Sequence, residues 1–138
     1  MIQFYRISGG VLGMAGGTAA GGYIMGKGMN RNLQTEEALK RLVAFFAPEK
    51  VYLFGSTARG EDRPDSDLDF LIVLPDDAPH EKLFCRGLYR TLYGLDVSVD
   101  VVPVRRRWFE QRRNWLMSLP AIAIREGRLV YDAQSVPV

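Results

Sequence analysis

The chain is short of two residue types on which many active sites depend. Its 138 residues include one cysteine, Cys85, and one histidine, His80. A lone cysteine forms no disulfide within the chain, which favours a reducing compartment and predicts a cytoplasmic protein. Cys85 lies in an apolar helical pattern and His80 follows Pro79 at a predicted helix start, so neither indicates a catalytic site. The length is that of one domain with a moderate core.

Charge is missing from most of the first part of the chain. No charged residue occurs from Ile7 to Gly26, where glycines recur at four-residue spacing. Small residues at that spacing can pack membrane helices closely, and about twenty residues suffice for a span. Leucine, isoleucine and valine are too few there for strong insertion, however. A membrane anchor is therefore the least favoured interpretation, and we expect no membrane contact.

The sequence predicts that the chain has two segments. We predict a glycine-rich leader over residues 1–28, which is vector-derived, the product of a misplaced start codon, or a flexible native tail. The domain itself is predicted to span residues 29–138. Arg6 and Lys27 carry the whole net charge of +2, which leaves the predicted domain balanced. Neither base is assigned a role.

The stretch from Val51 to Leu74 carries the strongest local signal. An apolar run over residues 51–54 leads into Gly55-Ser56, which predicts a buried strand that ends in a tight turn. Backbone N–H groups of such a turn, at the start of a short helix, can bind phosphate oxygens. The sequence therefore predicts a phosphate-binding turn here.

Two aspartates lie at the start of the next predicted strand, residues 68–74. The period of two along a strand places Asp67 and Asp69 on one face. Neighbouring carboxylates repel each other unless a cation lies between them. Magnesium binds hard oxygen ligands and substrate phosphates together. The pattern predicts a magnesium site beside the phosphate-binding turn.

These motifs resemble those of a known family. Gly55-Ser56, ten further residues and then Asp67-x-Asp69 are similar to the signature of minimal nucleotidyltransferases, within the polymerase-beta-like superfamily. The resemblance covers about residues 33–134 and is most specific in its first half. It implies an α/β (α+β) fold in which a small mixed sheet is flanked by helices.

The resemblance also implies a third carboxylate on a later strand. Residues 95–102 alternate polar residues with valines; Asp100 best matches the family position, and Asp96 on the same face is the fallback. By this resemblance Asp67, Asp69 and Asp100 hold two magnesium ions, and Asp100 helps to deprotonate the attacking hydroxyl. The transferred group is AMP from ATP, and pyrophosphate leaves.

Four residues are expected to bind the nucleotide: Gly55, Ser56, Arg59 and Ser66. The Gly55-Ser56 turn would grip the β- and γ-phosphates. Arg59 is either a phosphate-binding or turn-stabilising cation, or the partner of a neighbouring loop acid in a surface salt bridge. Ser66 shapes and caps the loop next to the carboxylates.

Small members of this family imply a protein partner. The resemblance implies transfer of AMP to a tyrosine of a separate HEPN-type toxin, which would make this chain an antitoxin. The Arg-x4-His signature of such toxins is absent from the chain. Two alternatives stay open: a non-catalytic antitoxin that masks its toxin by binding, and a homo-oligomeric, aminoglycoside-type nucleotidyltransferase with a small-molecule acceptor.

Arginines and aromatic residues are interleaved in the last third of the chain. Bases cluster from Arg105 to Arg113. The favoured interpretation is an amphipathic helix whose Trp108, Trp115 and Leu116 face inward while the arginines stay solvated. A surface for a protein partner is the second interpretation. Binding of nucleic acid or of the substrate phosphates comes last, and no direct nucleic-acid binding is expected.

Periodicity and helix breakers predict the remaining elements. Thr35 is the predicted N-cap of a helix that Pro48 ends. Predicted helices cover residues 35–46, 56–60, 81–93, 106–117 and 119–126, and predicted strands cover residues 51–54, 68–74, 95–102 and 128–131.

Overall fold

Helices flank one mixed β-sheet. The computed structural model describes residues 5–7, 31–55 and 67–135. In chain order the elements are β1 (Tyr5–Ile7), α1 (Arg31–Phe46), β2 (Lys50–Phe54), β3 (Leu68–Leu74), α2 (His80–Leu83), α3 (Leu88–Thr91), β4 (Val99–Arg105), α4 (Arg106–Arg112), α5 (Leu119–Glu126) and β5 (Arg128–Asp132), followed by a short 3₁₀ turn.

The five strands lie in the order β1-β4-β3-β2-β5. β3 and β4 are parallel, and every other neighbouring pair is antiparallel. A parallel pair needs a crossover connection, which here contains α2 and α3. β3 is buried almost throughout because helices cover both faces of the sheet. The predicted α/β class is confirmed.

Alternate residues of the strands serve two separate cores. Leu68, Phe70 and Ile72 of β3 pack with α1 and the α3 segment, whereas Leu71 and Val73 pack with α4 and α5 on the opposite face. We call the latter the α4/α5 face. Residues of even and odd number on one strand therefore belong to different faces, as the period of two requires.

The first long helix begins earlier than predicted. α1 starts at Arg31, so Thr35 lies inside the helix and the prediction that it is the N-cap was wrong. No glycine or proline separates residues 31 and 35, and nothing local stops the helix from extending. Its end before Pro48 is confirmed, with Ala47 already at a positive φ of 47°.

The single helix predicted over residues 81–93 was wrong. The structure has two short helices there, α2 and α3, separated by residues in the left-handed conformation: Cys85 at φ 52° and Gly87 at φ 86°. Left-handed residues interrupt the i→i−4 hydrogen bonds of a right-handed helix. The apolar residues Leu88 and Leu92 are buried nevertheless.

Two further boundaries differ from the prediction. The strand predicted over residues 95–102 begins at Val99 and continues through Pro103 to Arg105, because apolar residues of β4 pair with β3 along its whole length. The helix predicted over residues 106–117 ends at Arg112. α5 and β3 have the predicted bounds, while β2 and β5 each exceed theirs by one residue.

β1 lies within the segment predicted to be a leader, and it pairs with the outer edge of β4. The division into a leader and a domain stays a prediction, since most of residues 1–28 lie outside the described part of the chain. Within residues 5–7, 31–55 and 67–135, none of the helices combines the length and the apolar character that crossing a bilayer requires.

Candidate functional site

Three aspartates meet at the beginning of the two parallel strands. Asp67 immediately precedes β3, Asp69 is the second residue of β3, and Asp100 is the second residue of β4. The register pairs Asp69 directly with Asp100. Because the strands are parallel, both carboxylates lie at the same end of the sheet. Asp69 shares its face with Leu71, so the cluster lies on the α4/α5 face.

The turn after β2 borders this cluster. Phe54 pairs with Asp69 across the antiparallel β2–β3 ladder, and Gly55 follows at a φ of 83°. A Cβ atom on Gly55 would overlap the Asp69 carboxylate. Glycine is required at this position for two reasons: the backbone is left-handed, and the carboxylate approaches closely. Gly55 thus lies beside the carboxylates, as the motif predicts.

The negative charges of Asp67 and Asp100 act on the carboxyl group of Asp69. The pKa of Asp69 is raised well above its usual value, first by burial, then by the hydrogen bond with Asp100 and by the negative charges of Asp100 and Asp67. The charge of Arg6 opposes this shift. Such an excess of negative charge in one place is typical of a site that binds a cation.

A guanidinium group lies between two of the carboxylates. Arg6 Nε donates to Asp100 Oδ1 at 2.8 Å, and Arg6 Nη2 donates to Asp100 Oδ2 at 3.0 Å. The same Nη2 lies 2.8 Å from Asp67 Oδ2. The carboxylates of Asp100 and Asp67 raise the pKa of Arg6 still further above its usual value.

Arg6 is the site residue that the sequence interpretation missed. It was placed in the leader and given no role. The register explains its position, since Arg6 pairs with Asp100 and therefore points to the same face of the sheet. The only local signal is an arginine between two apolar strand formers, Tyr5 and Ile7, which is too short to predict a strand.

The oxygen donors fit a divalent cation. Within the described residues, no group of three or more His, Cys, Asp or Glu side chains is already arranged to hold a metal ion. Magnesium does not need such a cage, because it is usually held by one or two carboxylates, water and substrate phosphates. Asp67 and Asp100 already hold one cation, the guanidinium of Arg6.

The other predicted site residues have different outcomes. Ser56, Arg59 and Ser66, together with the short helix predicted over residues 56–60, lie outside the described residues, and their contacts with phosphate stay a prediction. The fallback carboxylate, Asp96, is exposed and precedes β4, so it has no register partner on β3.

The arginine-aromatic segment is arranged differently from the prediction. Phe109 is the buried residue of α4 and stacks on Tyr52, with ring centroids 5.5 Å apart. Trp115 and Leu116 are exposed, so the prediction that they face inward was wrong. Because α4 ends at Arg112, Trp115 and Leu116 do not continue the inward face of the helix. The Arg112 guanidinium lies 4.6 Å from the centroid of the Trp108 ring and 5.0 Å from that of the Trp115 ring.

Sequence comparison identifies the class. The nucleotidyltransferase domain family matches residues 34–122, which include most of α1, the Gly55 turn and all three aspartates. The chain belongs to this family.

A relative and a solved structure are also similar to the chain. Over 83 residues the chain is 32% identical to a protein of Methanocaldococcus jannaschii described as a "putative protein adenylyltransferase", covering 60% of this chain and 78% of that protein. A crystal structure described as a "putative nucleotidyltransferase" from Sulfolobus solfataricus is 23% identical, with a TM-score of 0.46, over 83% of this chain and 97% of that one.

Proposed function

We propose that this chain is a magnesium-dependent adenylyltransferase that moves AMP from ATP to a hydroxyl group of a protein. The observation that carries the proposal is the cluster of Asp67, Asp69 and Asp100 beside the Gly55 turn, with one cation already bound between two of its members. Membership of the nucleotidyltransferase family supports the reaction class.

Each group has a distinct task in this mechanism. Asp67 and Asp69 would hold magnesium, and Asp100 would join them and accept the proton of the attacking hydroxyl. The hydroxyl oxygen would form a bond to the α-phosphorus of ATP as the bond to the β-phosphate breaks and pyrophosphate leaves. The absence of a Cβ on Gly55 lets the phosphate-binding turn lie directly against Asp69. When bound, magnesium neutralises the phosphates and aligns the attacking and leaving oxygens. Positioning and charge neutralisation then supply most of the catalysis.

The acceptor in this proposal is a tyrosine of a separate HEPN-type toxin, and the chain acts as its cytoplasmic antitoxin. The description of the Methanocaldococcus jannaschii relative supports a protein acceptor. The assignment of an HEPN-type toxin as the partner rests on the resemblance of the Gly55-Ser56 and Asp67-x-Asp69 motifs to minimal nucleotidyltransferases.

The test is the intact mass of the protein encoded beside this one after incubation with this chain, ATP and magnesium. We expect a gain of one or more AMP units. Asp67→Asn should lower the rate at least about 100-fold, because a metal ligand is lost. Asp77→Asn, which removes an exposed carboxylate beyond the other end of β3, is the matched control and should leave the rate unchanged.

A second candidate, masking of the toxin by binding alone, is favoured by one observation. Trp115, Leu116 and Met117 are exposed next to Arg112, and exposed aromatic and basic groups are common in protein interfaces. Under masking, Asp67→Asn would still neutralise the toxin, whereas Trp115→Ala would not. If the protein encoded beside this one gains no mass and forms no complex with this chain, a small-molecule acceptor would be indicated instead.

A further inference from the structure

We propose that β1 is an inhibitory strand whose Arg6 occupies the carboxylate oxygens that magnesium would bind, so that the metal must displace it. This inference rests on the proposed function, because it assigns the same carboxylates to the metal. It goes further by giving β1 a regulatory task.

The contacts of Arg6 and of a metal exclude each other. Arg6 engages both oxygens of Asp100 and one oxygen of Asp67, with all three distances at or below 3.0 Å. A magnesium ion binds carboxylate oxygens at about 2.0–2.1 Å and requires near-octahedral geometry. It cannot reach the same oxygens while a guanidinium group lies between them.

The strand that carries Arg6 is held from both sides of the sheet. Its backbone pairs with β4 through three residues, Tyr5, Arg6 and Ile7. Tyr5 points to the opposite face from Arg6 and packs against the core that contains α1. Tyr5 therefore anchors the strand while Arg6 reaches the site, as alternation along a strand dictates.

The hold is weak enough to be released. β1 has three residues, lies at the edge of the sheet, and the Arg6 side chain is 60% exposed. Exposed ion pairs contribute little to stability because water and salt screen them. Short edge elements are also among those that open locally without global unfolding. A divalent ion brings twice the charge of the guanidinium to the same carboxylates and is favoured once its concentration is sufficient.

The experiment measures binding of Mn²⁺ to the full chain without nucleotide, from the electron paramagnetic resonance signal of the unbound ion. Arg6→Gln should bind Mn²⁺ about 3- to 30-fold more tightly than the wild type, because the guanidinium no longer competes for the oxygens of Asp67 and Asp100. Arg113→Gln is the matched control. It removes an equally charged, exposed arginine that pairs with Glu110 on α4, and it should leave the affinity unchanged.

Hydrogen exchange supplies a second readout in the wild type. Addition of Mn²⁺ should accelerate exchange of the backbone amides of residues 5–7, because the strand leaves β4 when Arg6 is displaced. If Arg6→Gln does not fold, Arg6→Lys replaces it, since lysine keeps the charge but loses the bidentate bond to Asp100.

The outcomes separate this inference from the proposed function. Equal Mn²⁺ affinity of the wild type and Arg6→Gln, or unchanged exchange of residues 5–7, would overturn the inhibitory strand and leave the metal site standing. No Mn²⁺ binding to either protein would overturn both. A lower rate of AMP transfer by Arg6→Gln at saturating magnesium would make Arg6 a catalytic group and reject inhibition.

Discussion

Carboxylates near the two ends of the parallel strands β3 and β4 have pKa values that are shifted in opposite directions. At the beginning of the strands, Asp69 is crowded by other acids and its pKa is raised. Just beyond their far end, Asp76 receives the backbone N–H of Arg107 at 2.8 Å and the guanidinium of Arg106 at 3.3 Å. The N–H of Arg107 is the main reason why the pKa of Asp76 is lowered.

The far end is organised by arginines. Arg105 donates to the carbonyls of Asp76 and Ala78 at 2.8 and 2.9 Å, and Arg106 also reaches Glu49 at 3.1 Å. We call these five residues the arginine corner. Its contacts tie the end of β4 to the loop after β3 and to the residue before β2.

The difference separates structural charge from functional charge. In the arginine corner Asp76 and Glu49 each have a basic partner from another segment, and the lowered pKa of Asp76 means that its ionisation favours the folded chain. At the site Arg6 pairs with Asp67 and Asp100, while the burial of Asp69 and the charges of the other two aspartates raise the pKa of Asp69, so ionisation of Asp69 opposes folding. Local rules of stability are commonly violated where a ligand binds.

The largest expected effect comes from Gly55→Ala, with Gly94→Ala as its control. Both glycines have a positive φ, 83° and 94°, but only the new Cβ at position 55 would meet the Asp69 carboxylate. Each substitution should cost about 1–2 kcal/mol of unfolding free energy through the left-handed backbone. Only Gly55→Ala should also lower AMP transfer, by about 100-fold, because it displaces a reacting group. Urea unfolding and the mass assay measure the two effects. Equal activity of the two variants would show that the approach of Gly55 to Asp69 is irrelevant.

The next effect concerns stability at the arginine corner. Asp76→Asn should lower the Tm at neutral pH, because the amide cannot accept the bonds from Arg106 and Arg107 as strongly as a carboxylate. Asp77→Asn, at the exposed neighbouring residue, should not. A lowered pKa means that this contribution is complete above the ordinary aspartate pKa of about 4 and is lost as the pH falls through the lowered value. Thermal unfolding of the three proteins from pH 7 to pH 2 should therefore converge. A difference that persists at pH 2 would assign the loss to something other than charge.

The smallest effect has the opposite sign. Asp69→Asn should raise the Tm slightly in the presence of EDTA, because the amide removes a desolvated charge beside Asp67 and Asp100. The same variant should lose AMP transfer, as expected when stability and function conflict. Calorimetry of the wild type and the variant measures the shift. A fall in Tm would show that the Asp69 carboxylate stabilises the fold and would remove the contrast between the two ends.

The site could be predicted from sequence as far as local patterns reach. Gly55, Asp67 and Asp69 lie within one short stretch, where a strand, a turn and a period of two are enough to place them together. Alternation with valines placed Asp96 and Asp100 on one face, and the family resemblance favoured Asp100, although its strand begins four residues later than predicted. The α/β class followed from the family resemblance, with which the predicted order of helices and strands agrees.

What could not be predicted depended on distant or unusual backbone. Arg6 joins the site through a partner 94 positions away, and no local pattern encodes that pairing. The break between α2 and α3 depends on Cys85 in the left-handed conformation, which a residue with a Cβ rarely adopts. The apolar positions around it still fit a continuous helix, so periodicity alone gave the wrong answer.

The long separation between Arg6 and Asp100 also sets an order of events during synthesis. β1 leaves the ribosome well before β4, yet it can pair only with residues 99–101 and so has no partner until they emerge. β2 and β3, in contrast, are close in sequence and can pair at once. Contacts between distant residues form late because a long loop must close first. We therefore expect the carboxylate cluster to be assembled before its guanidinium arrives, which would leave the cluster of a newly made molecule open to whatever cation the surroundings supply.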